Sequence, residues 1–305
     1  MKSSKKYQGL IALSIYVLLS VSGIKAQSYE KLNRVEGHNL VTYCSEGSVT
    51  EAIHVAALCD SVMSYYKSII NFKPTVTLLV LSTRNWSNYT NFPFYGMPHY
   101  PDEKTLIVAS DDNDFWKSML PPLDQMSTQL ANEISNTYSD DSGNLTMRGF
   151  FDLLAIHELG HAFHEQGELT MQRKWMGELF ANMFLHTYIA EKEPELLSAL
   201  TIFPTMVLSL TNLEELKYST LVELEANYGL ITQQYPQNYG WYQCKLHTAA
   251  GHIYDESGVA TFQKLWNVLK TNNQLLDDSS FVTLLSNQVH KSVADVQLKW
   301  NRFNN

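Results

Sequence analysis

Residues Ile156 to Gly167 read IHELGHAFHEQG, and within these twelve positions stand His157, Glu158, His161, His164 and Glu165. The first three form an HExxH pentapeptide. On a helix, positions i and i+4 lie one turn apart on the same face, so both imidazoles can reach one metal ion while Glu158 points beside them. Zinc in such a site keeps an open position for a water whose pKa falls to about 7. A neighbouring carboxylate receives the proton as that water attacks a carbonyl. Composition alone produces such a pentapeptide in roughly one chain in fifty, so its surroundings decide. Leu153, Leu154, Ile156, Leu159 and Phe163 make the segment too apolar for a solvated helix face. Buried polar groups without a partner are costly, and a shared cation removes that cost.

A third protein ligand is needed, and the segment KWMGELFANMF supplies one. Glu178 lies seventeen residues after His161, flanked by Trp175, Met176, Leu179, Phe180 and Ala181. A carboxylate buried among such residues wants a partner. With His157 and His161 it would complete a His2Glu site for Zn2+ and leave the fourth position for water. Asn182, one turn further along the same face, could orient a ligand by a hydrogen bond. His164 reads as a neighbour of the ligands or a surface group.

HELGH followed by W-x-x-E-L-F-A-N resembles the gluzincin metallopeptidases, most closely the peptidase-MA-like group, whose second helix usually reads W-x-x-E-G-x-A. The resemblance spans most of the chain after residue 26. It implies a zincin-like, thermolysin-like core, zinc on His157, His161 and Glu178, and Glu158 as general base and acid. It also implies Thr105 to Ser110 as an edge strand along which an extended substrate lies. Two departures stand out: Leu179 replaces the usual glycine, and Gly96-Met97-Pro98-His99 lacks the glutamate with which aminopeptidases of this clan grip a free amine. The expected enzyme is therefore an endopeptidase acting on peptides or proteins. Such enzymes add a donor that steadies the oxyanion; Tyr242 is the first choice, with Tyr239 and His247 behind it, among seventeen tyrosines.

The elements that must position these groups follow from periodicity. Leu40 to Cys44, Thr75 to Ser82 and Thr105 to Ser110 are β-branched-rich and predict strands. Val49 to Phe72 carries apolar residues at helical spacing, and Pro74 follows its end. Asp111 to Thr146 is a polar insertion, a candidate lid, with a helix expected from Leu123 to about Tyr138. Beyond residue 147 the periodicity is helical: Gly149 to Gln166, Lys174 to Glu191, Pro194 to Thr211, Asn212 to Asn227, Gly240 to Glu256, Val259 to Thr271, and a last helix near Val289 to Phe303. The expected fold is α+β. A small N-terminal sheet occupies residues 27–147 and a mainly helical part residues 148–305, the two forming one catalytic unit.

At the start of the 305-residue chain, Lys2, Lys5 and Lys6 precede an apolar run from Leu10 to about Val21, with a small residue at Ala26. This is the layout of a signal peptide over residues 1–26, so the expected location is secreted or periplasmic, with no stable membrane insertion after cleavage. Its removal takes away four lysines and no acid, moving the formal charge from −9 to −13. Such a chain repels phosphates, which argues against nucleic acid as a partner. Cys44, Cys59 and Cys244 fit no zinc-ribbon spacing; one bridge is possible, with one thiol left over. Two rivals use the same groove: a catalytically silent peptide- or glycan-binding protein, and a zinc hydrolase of an ester or another amide.

Overall fold

The computed structural model describes residues 29–304; the expected signal peptide lies outside them. The architecture is α+β. A four-stranded mixed sheet runs in the order β1 (Asn33–Val35), β2 (Val41–Cys44), β3 (Thr77–Leu81), β4 (Thr105–Ala109). β1 is antiparallel to β2, and the other neighbours are parallel. The crossover from β2 to β3 is α1 (Val49–Ile70), whose apolar stripe of Ala52, Val55, Cys59, Val62, Met63 and Tyr66 is buried. Its C-cap Asn71 takes the left-handed conformation and closes the helix on the Lys67 carbonyl. The short α2 (Thr83–Tyr89) follows β3.

The expected strands are present, while β1 was too short to signal itself. β4 differs from expectation in one respect that matters for the site. It is the last strand of the sheet, yet every residue in it is buried, and its outer edge is already paired at Ile107. His99 and Ile107 exchange backbone hydrogen bonds of 3.1 and 2.9 Å in an antiparallel bridge. β4 is thus the edge strand expected, but His99 already occupies its outer side at Ile107. His99 is fixed by both ring nitrogens, Nδ1 at 2.9 Å from the Met97 carbonyl and Nε2 at 2.7 Å from the Thr90 hydroxyl.

The insertion holds α3 (Asp114–Ser118), a turn of 3-10 helix at Leu123–Gln125, and α4 (Thr128–Tyr138). The expected helix from Gly149 to Gln166 divides into α5 (Arg148–Phe151) and α6 (Leu154–Gln166). At the break, Phe151 stacks on Trp116 and Phe150 packs against Phe203. Next come α7 (Lys174–Lys192) and α8 (Leu197–Leu210). α7 is buried from Trp175 to Ile189, its polar Glu178, Asn182, His186 and Thr187 included.

Inside α8, Pro204 removes one N–H from the ladder. Beside it the Tyr138 hydroxyl accepts from the Phe203 N–H (3.1 Å) and donates to the Ala199 carbonyl (2.7 Å). A side-chain hydroxyl thus stands between an i and i−4 pair, a recognised cause of local helix opening. The insertion is tied down by this contact.

The expected helix from Asn212 to Asn227 is corrected: α9 runs from Leu221 to Gln234. Thr220 and Glu223 form a capping box at its start, and the backbone leaves helical geometry at Asn227. α10 (Pro236–Ser257), α11 (Val259–Thr271), α12 (Asp278–Leu284) and α13 (Lys291–Leu298) complete the chain. One continuous core joins the sheet to the helices. Tyr66 of α1 stacks on Phe184 of α7, with centroids 3.7 Å apart, and the Gln166 side chain at the end of α6 bonds both backbone groups of Thr75.

Among the described residues no helix is long and apolar enough to cross a membrane. All three cysteines are free and buried, so the possible bridge is not formed.

Candidate metal centre

α6 and α7 approach closely because Gly160, the fourth residue of HELGH, has no side chain. A Cβ there would stand 2.9 Å from the Ala181 Cα, nearer than side-chain atoms come to backbone. This approach lets groups on the two helices meet. His157 Nε2 and His161 Nε2 are 3.1 Å apart, and Glu178 Oε2 lies 3.4 Å from the first and 3.5 Å from the second. Four-coordinate zinc with bonds of about 2.0–2.1 Å sets its ligand atoms roughly 3.3–3.4 Å apart, the edge of the tetrahedron. The three atoms therefore already stand at the separations that a common tetrahedral ion requires. Glu158 is close by, one of its oxygens within 4.8 Å of the two imidazole nitrogens.

The electrostatics ask for a cation. Glu178 Oε2 is buried with no hydrogen-bond donor, and its carboxyl is held well below the usual range. Burial works against the charge there, but the two imidazoles outweigh it. His161 shows the complement: burial opposes its charge, yet Glu178 and the neighbouring carboxylates carry its pKa up to about 9. His157 is depressed, chiefly by burial. A proton on His161 thus stands where a metal would serve better, since one ion can satisfy both imidazoles and the carboxylate at once. Glu158, 3% exposed, is pushed by burial up to about 8, which keeps its carboxyl near the balance between acid and base.

Surrounding residues aim the ligands. His161 Nδ1 lies 3.0 Å from His164 Nε2. Burial holds His164 neutral, with its pKa lowered to about 3, so it accepts the Nδ1 proton of His161 and leaves Nε2 as the nitrogen whose proton a metal would displace. On the other side, Glu178 Oε1 accepts hydrogen bonds from Tyr228 and from Tyr239, the second at 3.2 Å. Tyr228 follows directly on the irregular residue Asn227 of α9. Asn182 donates to the Glu178 carbonyl (2.9 Å) and to Gln243 Oε1 (3.3 Å), and its Oδ1 faces His247 Nδ1 at 3.2 Å.

The expected residues His157, Glu158, His161, Glu178 and Asn182 are brought together. Tyr242 is not. Its hydroxyl donates to the Thr220 carbonyl at 2.8 Å and its ring stacks on Trp300, so the oxyanion role expected of it is withdrawn. Tyr239 reaches Glu178 instead, and His247 borders the site. Sequence reasoning missed Tyr228 because it placed the helix end at Asn227. The signal was present as T-L-V-E at Thr220 to Glu223, a capping box that starts the helix later and carries it past Tyr228.

Against this geometry, comparison of the chain with protein-family models, with curated proteins and with solved structures finds no match.

Proposed function

We propose that the protein is an exported zinc-dependent metallopeptidase, gluzincin in its ligand set and zincin-like in its core. The reading is carried by one observation. Three buried ligand atoms from two helices stand at tetrahedral-edge separations, with an otherwise unpartnered carboxylate oxygen among them. Zinc held by His157, His161 and Glu178 would supply Lewis acidity to a peptide carbonyl and to the attacking water.

The chain's own residues do the rest. Glu158, in a dry site with a raised pKa, takes a proton from the attacking water and hands it to the departing amine. Tyr228 and Tyr239 hold the Glu178 carboxylate in place. Met97 borders the site, and the edge strand β4, paired at Ile107, lies behind the segment that carries it. The signal-peptide layout of residues 1–26 assigns this work to the secreted or periplasmic space.

Metal analysis with paired variants tests the proposal. The purified chain should carry one equivalent of zinc, and Glu178→Ala should lose it. Glu158→Gln should keep the metal while kcat on a quenched peptide falls about 10²- to 10⁴-fold, the usual worth of a general base. Hydrolysis by Glu158→Gln at the parent rate would sink the mechanism. Zinc absent from the parent would sink the site.

A further inference from the structure

Beside the metal centre lies a cavity of about 40 Å³, walled by Met97, Leu154 and Phe203 and reached by His157, Glu158, Gln243 and His247. Two polar atoms of its lining residues, Gln243 Nε2 and His247 Nε2, are buried and find no hydrogen-bond partner among the described residues. Their residues are 7% and 5% exposed. Buried polar groups left unpaired are costly, so a pair lining one cavity points to a ligand that satisfies both.

The hydrogen-bonding sense of each atom follows from a single backbone carbonyl. The Glu178 carbonyl can only accept, so the group of Asn182 facing it is the NH2. The same NH2 faces Gln243 Oε1, which leaves Gln243 Nε2 as a free donor. Asn182 Oδ1 faces His247 Nδ1 and can only accept, so Nδ1 carries the ring proton. Burial and the neighbouring His186 and His157 hold His247 well below its ordinary pKa, so the ring is neutral and Nε2 is a free acceptor. The cavity therefore presents one donor and one acceptor inside a largely apolar wall.

We infer that this cavity is a specificity pocket for a short neutral side chain bearing both a hydrogen-bond donor and an acceptor, such as threonine, serine or asparagine, next to the scissile bond. The inference rests on the metallopeptidase reading for the position of that bond. A hydroxyl gives its proton to His247 Nε2 and accepts from Gln243 Nε2; the methyl of threonine meets Met97, Leu154 and Phe203. A carboxylate would turn lone pairs toward the His247 lone pair. An ammonium would bury a charge against the Gln243 amide. The Phe203 N–H donates to the Tyr138 hydroxyl, so the polar insertion touches the backbone of one wall residue of the pocket.

Two measurements on the zinc-loaded full chain test this. In the first, quenched peptides vary only at the two positions flanking the cleavage site. Threonine should exceed valine, its isostere, at one of them by at least about tenfold in kcat/KM, since a site built to hydrogen-bond rejects the analogue that cannot. Gln243→Met should bring that ratio close to one. In the second, which needs no variant, N-acetyl-threonine hydroxamate should bind at least about tenfold more tightly than the valine hydroxamate. If peptides are cleaved without discrimination, the pocket inference falls and the peptidase reading stands. If no peptide is cleaved yet the hydroxamates differ as stated, the pocket stands and the peptidase reading falls. If neither hydroxamate binds, both fall.

Discussion

The carboxylate of Glu178 divides its oxygens between two tasks: Oε2 faces the imidazoles, and Oε1 receives the hydroxyls of Tyr228 and Tyr239. Partners of this kind fix a ligand's orientation, and their loss typically lowers metal affinity about 10- to 100-fold. Tyr228→Phe combined with Tyr239→Phe should weaken zinc binding within that range, measured by competition with a chromogenic chelator. Tyr242→Phe should leave zinc affinity where it was, because that hydroxyl serves the Thr220 carbonyl; unchanged affinity in the double variant would reduce the two phenols to packing. The contrast shows what a sequence can carry at this scale. His157, Glu158 and His161 are legible because helical spacing is local, and Glu178 because an acid among Trp175, Leu179 and Phe180 declares itself buried. Tyr228 meets Glu178 across fifty residues of sequence. The capping box at Thr220 and Glu223 carries it onto a helix, but no local feature marks it as the tyrosine that meets Glu178.

At the scale of elements, the long helices and the strands β2, β3 and β4 were readable, whereas the short β1, α2, α3 and α12 were not, and most ends were not. Val259 to Thr271 is bounded as expected, because its apolar periodicity ends at polar residues. The long stretch before α6 divides because tertiary contacts of Phe150 and Phe151, invisible to periodicity, compete with a continuous helix. The pairing of His99 with Ile107 was likewise illegible, since one bridge of a loop to a strand leaves no repeating pattern. Its lock depends on a neutral ring: Nδ1–H donates to the Met97 carbonyl and Nε2 accepts the Thr90 hydroxyl proton. Burial lowers the His99 pKa to about 4, below the unfolded value near 6.5. A depressed pKa gives a contribution present above pH 6.5 and lost as pH falls toward 4. Compared with His99→Gln, which does not titrate, the parent should lose relative stability at up to about 1.4 kcal/mol per pH unit across that window. Parallel urea unfolding of the two proteins from pH 7 to pH 4 measures the difference; a constant difference would mean that His99 titrates like a free histidine.

For the whole molecule, the division near residue 147 marks a change of composition, not of cooperative unit. Tyr66 from the first part lies against Phe184, Phe163 and Phe262 of the second, and its hydroxyl donates to the Phe184 carbonyl. Gln166 bonds the backbone at Thr75 and Glu103, clamping the end of the HExxH helix to the start of the sheet. α6 and α7 are thus embedded in the core that closes the sheet, and neither part can lose its structure without exposing the other's apolar face. Zinc binding should therefore be felt by the entire chain. A ligand that binds only the native state at a thousandfold excess over its Kd adds about 4 kcal/mol of stability. Scanning calorimetry should show one transition that moves to higher temperature with zinc and returns with chelator, while Glu178→Ala shows one transition indifferent to both. Two separable transitions, of which zinc shifts one alone, would mean that the helical part folds independently, and the shared core would then hold the two halves together without coupling them.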